Sequence, residues 1–335
     1  MLIDAGAGIA ATPQRIESAA IAAEADGYDG FSVPETRHDP FVCAALAARA
    51  TGRISLRSSI AVAFARNPMN VAVLANDIQL ISGGRFQLGL GSQVRQHIER
   101  RYSMPWSAPA ARMEEFIAAV RAIWRAWATG ERLAFRGSFY RHTLMTDFFN
   151  PGPNASGNPP VLLAAVGERM TAVAGRVADG LLCHSFTTQA YLRERTMPAL
   201  RAARGTLHGF EVCLPVFVVT GSDGKARAAA ENGVREQIAF YGSTPAYRPV
   251  LDLHGWGALH EQLNLLSRRQ EWAAMGRLIS DDVLAAFAVA GDPGEVAAEV
   301  ASRFGDIATR ITLYTPYAAD AGALSAVTAA LRAAR

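Results

Sequence analysis

The chain has 335 residues, 50% hydrophobic and 19% charged, with a formal net charge of +3. So apolar a composition excludes a disordered chain, and with no Lys/Arg block there is no footprint for nucleic acid. No apolar run approaches the ~18 residues that span a bilayer, which excludes a membrane-spanning helix.

In chain order, short β-rich runs alternate with helical patterns. Strands are predicted at 2–8, 28–33, 54–63, 85–90, 161–166, 180–185, 211–219 and 310–315. Several are apolar at nearly every position, as expected of parallel strands covered on both faces. Met113, Phe116, Ala119, Val120, Ile123 and Trp127 form one helical stripe, and Met170, Val173, Ala174 and Val177 another. Thr12-Pro13 and Asn67-Pro68 place an N-cap before a proline at the first helical position. Ala25-Asp26-Gly27, Ser82-Gly83-Gly84 and Ala178-Asp179-Gly180 each predict a helix closed by glycine before the next strand.

Eight such units predict an α/β fold, a (β/α)8 TIM barrel forming a single domain over 1–335, with an open doubly wound sheet as rival. A minimal barrel needs ~250 residues, so the surplus is assigned to insertions at about 92–108, 130–160 and 242–290. The second contains a hairpin at 132–142. The third is aromatic and turn-rich, precedes two helical segments, and is a candidate lid.

The start, MLIDAGAGIAATPQR, carries Asp4 and no basic segment before an apolar run, so no signal peptide is read there. Cys43, Cys183 and Cys213 stand far apart and read as buried thiols of a reducing compartment. The expectation is a soluble cytoplasmic protein acting on a small-molecule substrate, with neither nucleic acid nor membrane as partner. No metal-ligand spacing is present, so no metal is expected.

In a barrel, chemistry sits at the C-terminal ends of strands. The expected mouth is rich in small residues: Ala5, Gly6, Ala7, Gly8, Ala63, Gly91, Ser92, Ala164, Ala165 and Gly167. Small side chains let a flat ring lie close to the backbone, and free N–H groups there cradle phosphate. Gly6-Ala7-Gly8-Ile9-Ala10-Ala11 also fits a dinucleotide fingerprint, but the helix signal comes afterwards at Thr12-Pro13, which argues against it. With no metal or nucleophile motif, a cofactor enzyme is the simplest reading.

Gly83-Gly84-Arg85-Phe86-Gln87-Leu88-Gly89-Leu90-Gly91-Ser92, then Arg112, Glu115, Gly167 and Ala178-Asp179-Gly180, resemble the bacterial-luciferase-like superfamily. AFARNPM, GLGSQVRQHIERRY and YGSTPAYRPVL are similar to its members that use the deazaflavin coenzyme F420. The resemblance implies a luciferase-like barrel with the coenzyme in its mouth, in a homodimer. It implies a hydride transfer between coenzyme F420 and a small organic substrate. The alternatives are an FMN-dependent monooxygenase and a non-catalytic flavin-binding protein.

The resemblance further implies a non-proline cis peptide behind the ring, falling around Ser58-Ser59. Gly91, Ser92 and Gln93 would approach the ribityl chain or phosphate, and Ala165, Val166 and Gly167 would offer N–H groups at a helix start near Glu168. Arg95, His97, Arg100 and Arg101 would meet the coenzyme's anionic charge. Many relatives carry His directly after the acid that follows the second strand, whereas here Thr36 follows Glu35 and the next His is His38. The acid–base candidates are Glu35, His38 and His184, with Glu35 orienting His38 or touching substrate. Asp39 is expected to cap the helix from Pro40. The substrate wall is expected from Phe64, Trp106, Tyr241, Tyr247 and Trp256.

Overall fold

A computed structural model describes residues 1–8 and 11–334. Its centre is a ring of eight parallel strands: β1 (Leu2–Gly6), β2 (Gly30–Val33), β3 (Ser55–Ser58), β4 (Phe86–Gly91), β5 (Val161–Ala165), β6 (Gly180–Cys183), β7 (Glu211–Val219) and β8 (Arg310–Tyr314). Each strand pairs with the next, and β8 pairs back onto β1 through Leu2↔Arg310, Ile3↔Ile311 and Asp4↔Thr312. The barrel is closed, and the open-sheet rival is thereby overturned. The dinucleotide fingerprint falls with it, because α1 (Pro13–Ala25) opens only after Thr12; Ile9 and Ala10 of that run lie outside the described residues.

Helices alternate with the strands: α2 (Pro40–Ala50), α3 (Pro68–Ser82), α4 (Pro109–Thr129), α5 (Glu168–Val177), α6 (Met197–Arg204), α7 (Gly224–Gly242), α8 (Pro293–Phe304) and α9 (Ala321–Ala333). Proline sits in the first turn of α1 to α4, where its missing N–H leaves no bond unmade. Asp39 and Asn67 cap α2 and α3 through their side chains, while Thr12 occupies its cap position without a side-chain bond. Along α4 the stripe Met113, Phe116, Ala119, Val120, Ile123 and Trp127 is buried against the sheet, as its period requires.

Three expectations change. Gly180 closes no helix: α5 ends at Val177 and Gly180 is the first residue of β6, where a Cβ would come within 2.8 Å of the Glu211 carbonyl oxygen. The strand expected at 54–63 is interrupted. It resumes at Ala61–Val62 with one more residue than β4 spends over the same stretch, since Arg57 pairs with Gln87 but Ala61 with Leu90. The third insertion holds four short helices, Arg248–Leu253, Gly257–Arg268, Trp272–Gly276 and Asp281–Phe287, and ends in a further strand, Ala288–Ala290, beside β7. The hairpin pairs Phe135–Arg136 with Arg141–His142.

Side chains alternate across a strand, and the inward set fills the barrel in layers. Low in the barrel, Asp4 accepts a bidentate pair from Arg310 (2.9 and 2.7 Å) and a further bond from Arg57. Arg57 also donates to Gln87, which donates to Glu211. Burial opposes ionisation of Asp4, but the two guanidiniums outweigh it and hold its carboxyl below the usual range. Gly30 leaves room for this cluster, because a Cβ there would run into Asp4 and Arg310. Above it lies a small apolar layer of Leu162, Leu182, Cys213, Ile60 and Ala164. Cys43, Cys183 and Cys213 are buried, free thiols. Among the described residues no helix is long and apolar enough to cross a membrane.

Candidate functional site

The inward series continue upward to the mouth: Gly6 beyond Asp4 on β1, Val166 beyond Ala164 after β5, His184 beyond Leu182 after β6, and Tyr314 beyond Thr312 on β8. Gly6, Gly8 and Gly167 are exposed there. A Cβ on Gly6 would come no closer than 3.6 Å to Ser32 and 3.8 Å to Thr312, and at Gly8 and Gly167 it would meet nothing within 4 Å among the described residues. None of the three has a left-handed φ. The backbone does not need glycine at these positions, so what they provide is open surface.

One wall rises from β2 and from the chain after β3. The Glu35 carboxylate is nearly enclosed and fully engaged. One oxygen accepts from the Val62 N–H and from Arg66, both at 2.7 Å, and the other from the Tyr102 hydroxyl at 3.0 Å. Arg66 reaches on to Asp39. Beside them Trp106 packs edge-on against Phe64 at 5.6 Å, and the Arg112 guanidinium lies 4.5 Å from the Phe64 ring. Arg112 also donates to the Pro105 carbonyl and the Tyr140 hydroxyl, while Glu115 accepts the N–H groups of Ser138, Phe139 and Tyr140. The motif residues Arg112 and Glu115 thus fasten the first two insertions to this wall.

The opposite wall rises from β6 and β8. His184 stacks on Tyr247 at 4.5 Å and meets Tyr241 edge-on at 4.6 Å. Its Nδ1 accepts the Phe186 N–H (3.0 Å), and its Nε2 lies 3.2 Å from the Tyr247 hydroxyl. Burial pushes the imidazole down to about 4, so the ring is neutral at physiological pH. The Tyr241 and Tyr314 hydroxyls share a bond of 3.2 Å. Val166, Trp256 and Leu259 pack on the apolar cluster beneath these rings, and so join the third insertion to the barrel.

The structure brings His184, Tyr241 and Tyr247 together, and separately Glu35, Arg66, Tyr102 and Asp39. It does not bring Glu35 and His184 together: β2 and β6 stand diametrically opposite in the ring. No hydrogen bond joins Glu35 to His38 among the described residues; the carboxylate accepts from Val62, Arg66 and Tyr102 instead. His38 lies half-buried in a bend before α2 and not on a helix. The cis peptide is Ser59–Ile60, one bond beyond the expected Ser58–Ser59.

Of the residues expected near the coenzyme, two have enclosed side chains. Ser58 and Ala63 are fully buried. The Ser58 hydroxyl both donates to the Gly89 carbonyl and accepts its N–H, so its proton is already engaged within the barrel. Ala7 and Ala165 sit in the layer between strands and helices, so only their backbone reaches the mouth. Gly91 is buried, its α-carbon covered by Ile60. Ser59, Ser92, Gln93 and Val166 are part-exposed, and Gln93 holds a left-handed φ of 59°.

Gly167 is the N-cap of α5 and brings no capping side chain, so the first-turn N–H groups have no partner within the helix. Of the basic residues after β4, Arg95 pairs with Glu99 and Arg101 donates to the Thr36 carbonyl. His97 and Arg100 are exposed. No three His, Cys, Asp or Glu side chains converge as metal ligands among the described residues. A cavity of about 620 Å³ lies at the other end of the barrel, lined by Arg121 of α4 and by Asp179 and Glu211 at the starts of β6 and β7.

Residues 3–310 match the model of the luciferase-like monooxygenase family. A Mycobacterium tuberculosis protein of uncharacterized activity is 50% identical over 302 residues, 89% of this chain and 88% of its own. The 5,10-methylenetetrahydromethanopterin reductase of Archaeoglobus fulgidus is 26% identical over 255 residues, 73% of this chain and 72% of its own. The solved coenzyme F420-dependent tetrahydromethanopterin reductase of Methanopyrus kandleri superposes with a TM-score of 0.76 at 19% identity, covering 93% of this chain and 92% of the other. Closed barrel, mouth and family match agree: the chain belongs to the luciferase-like monooxygenase family.

Proposed function

We propose that the protein is an oxidoreductase that moves a hydride between coenzyme F420 and a small organic substrate, the insertions folding with the barrel as one domain. The observation that carries this reading is the floor of Gly6, Gly8 and Gly167, open where the backbone has no need of glycine. A planar ring fits over such a floor, and the uncapped start of α5 suits its phosphate. The deazaflavin supplies the hydride. Ser59, Ser92, Gln93 and the backbone at 165–167 would hold it, and the exposed His97 and Arg100 would be available to its anionic tail. Glu35 keeps one wall in position, and of the histidine candidates His184 is favoured over His38 as a contributor at the mouth, where it stacks on Tyr247. The similarity to an F420-dependent glucose-6-phosphate dehydrogenase supports this choice of coenzyme over FMN.

Titrating the purified protein with coenzyme F420, FMN and NADPH tests the reading. The deazaflavin is expected to bind and, at about a hundredfold excess over its Kd, to stabilise the fold by about 2.7 kcal/mol. No spectral change and no stabilisation would overturn it. FMN binding with oxygen uptake would establish the monooxygenase alternative instead.

We also propose a homodimer through α2 and α3. Val42 on α2 and Val73, Leu74, Leu80 and Ile81 on α3 are exposed aliphatic side chains on adjacent helices, a patch that packing against a second copy removes from water. Light scattering is expected to give twice the chain mass. Leu74→Glu combined with Ile81→Glu is expected to give the monomer; a wild-type monomer refutes the assignment.

A further inference from the structure

The third insertion brings one hydroxyl over the β6 side of the mouth. Tyr247 closes the short turn Pro245–Tyr247, with its oxygen 3.2 Å from His184 Nε2. The direction of that bond follows from the other ring nitrogen. The Phe186 N–H can only donate, so Nδ1 accepts and the proton of the neutral imidazole sits on Nε2. Nε2–H therefore donates to the Tyr247 oxygen, and the hydroxyl hydrogen of Tyr247 has no acceptor among the described residues. A phenol that already accepts one hydrogen bond is a better donor of its own. The tyrosinate left after donation would keep a charge-assisted bond from His184. Across the mouth the Glu35 carboxylate is held by Val62, Arg66 and Tyr102, and Thr36 brings no ionisable group.

Resting on the reading above, we propose that Tyr247 exchanges the proton with the substrate oxygen, that His184 is its positioning residue, and that the substrate is an uncharged carbonyl compound or the corresponding alcohol. In the reducing direction the carbonyl carbon gains a C–H bond from the hydride of the reduced deazaflavin. The π pair of C=O moves to oxygen, and that oxygen takes the proton of Tyr247. The carbonyl becomes an alcohol with two electrons from the deazaflavin, whose remaining proton passes to solvent as Tyr247 regains one. Burial first, and Tyr241 second, push the Tyr247 hydroxyl up to about 12, so it holds its proton until an alkoxide develops. The rings around the pair, Tyr241, Tyr314, Phe186 and Trp256, carry no formal charge, which favours a neutral substrate body.

The test is Tyr247→Phe in the coenzyme-loaded protein, with cyclohexanone, acetophenone and benzaldehyde as acceptors. The expected result is a kcat lower by about 10²–10³-fold, with KM and the coenzyme Kd within about threefold of wild type. His184→Gln, whose amide still donates, should retain more rate than His184→Leu. A readout independent of turnover is nitrogen NMR of the His184 ring without coenzyme. It should show the Nε2–H form across the neutral range, with a shifted Nε2–H resonance in Tyr247→Phe. Undiminished kcat in Tyr247→Phe, an Nδ1–H ring, or no turnover of any of the three carbonyls by loaded wild type overturns the proposal while leaving coenzyme binding intact. Failure of wild type to bind the coenzyme overturns the underlying reading, and this one with it.

Discussion

Asp4→Asn is expected to destabilise the protein by about 3–5 kcal/mol, the loss typical when one partner of a buried ion pair is removed. The substitution keeps size and shape but deletes the charge that Arg57 and Arg310 share, both almost fully enclosed. Glu211, 3.8 Å from Arg310, is too distant and too exposed to compensate. Thermal unfolding should move down on the order of 10 °C, and Asp4→Asn combined with Arg57→Met should recover part of that. Arg95→Met, which breaks only the exposed pair with Glu99, should stay within about 0.5 kcal/mol. A loss below about 1 kcal/mol for Asp4→Asn would show that the cluster is not held together by charge.

Acidification separates two contributions. His184 has a folded value of about 4 against 6.5 unfolded, so between those values the unfolded chain binds more protons and stability falls as pH is lowered. Asp4 has a folded value below its unfolded 3.8, so its contribution is present above 3.8 and disappears only as pH falls through the lower, folded value. Wild type should lose stability in both ranges, and Asp4→Asn only in the first.

With Gly6→Val the fold should survive and the coenzyme should not bind. Gly6 lies in regular strand, its φ is ordinary, and a Cβ would make only normal contacts with Ser32 and Thr312. A β-branched residue is at home in such a strand. Its methyl groups, however, would stand in the open floor of the mouth. The expected outcome is at least about a hundredfold weaker deazaflavin binding, or roughly 2.7 kcal/mol, with thermal stability near wild type. Gly89 is the contrast. A Cβ there would overlap the Ser58 carbonyl oxygen and come within 2.8 Å of Leu182, so Gly89→Val should fail through unfolding. Unchanged affinity in Gly6→Val would remove the floor from the coenzyme site.

Much of the scaffold was legible because its signals are local. Apolar runs, proline-started helices and glycine ends recur within a few residues of one another, and they located the eight barrel strands with ends shifted by a few positions. The errors arose where a local sign served a distant need. Gly180 reads as a helix terminus, yet it is glycine because β7 passes against it. Ser58 is singled out only through the cis peptide that the family resemblance implies, yet its hydroxyl bridges β3 to β4 through Gly89. In the third insertion two helical segments are legible after the aromatic stretch, whereas packing over the β6–β8 side makes four short helices.

By itself the sequence determined the alternation of strand and helix, the small residues that gather at the strand ends, and the absence of His at position 36. Only tertiary structure decided which polar groups meet: Asp4 with Arg57 and Arg310, Glu35 with Arg66 and Tyr102, His184 with Tyr247. The reason is physical. Periodicity is set within one turn or one pleat, whereas closing the ring brings together residues as many as 306 positions apart, and their partners are chosen by strand order and inward parity rather than by neighbouring sequence.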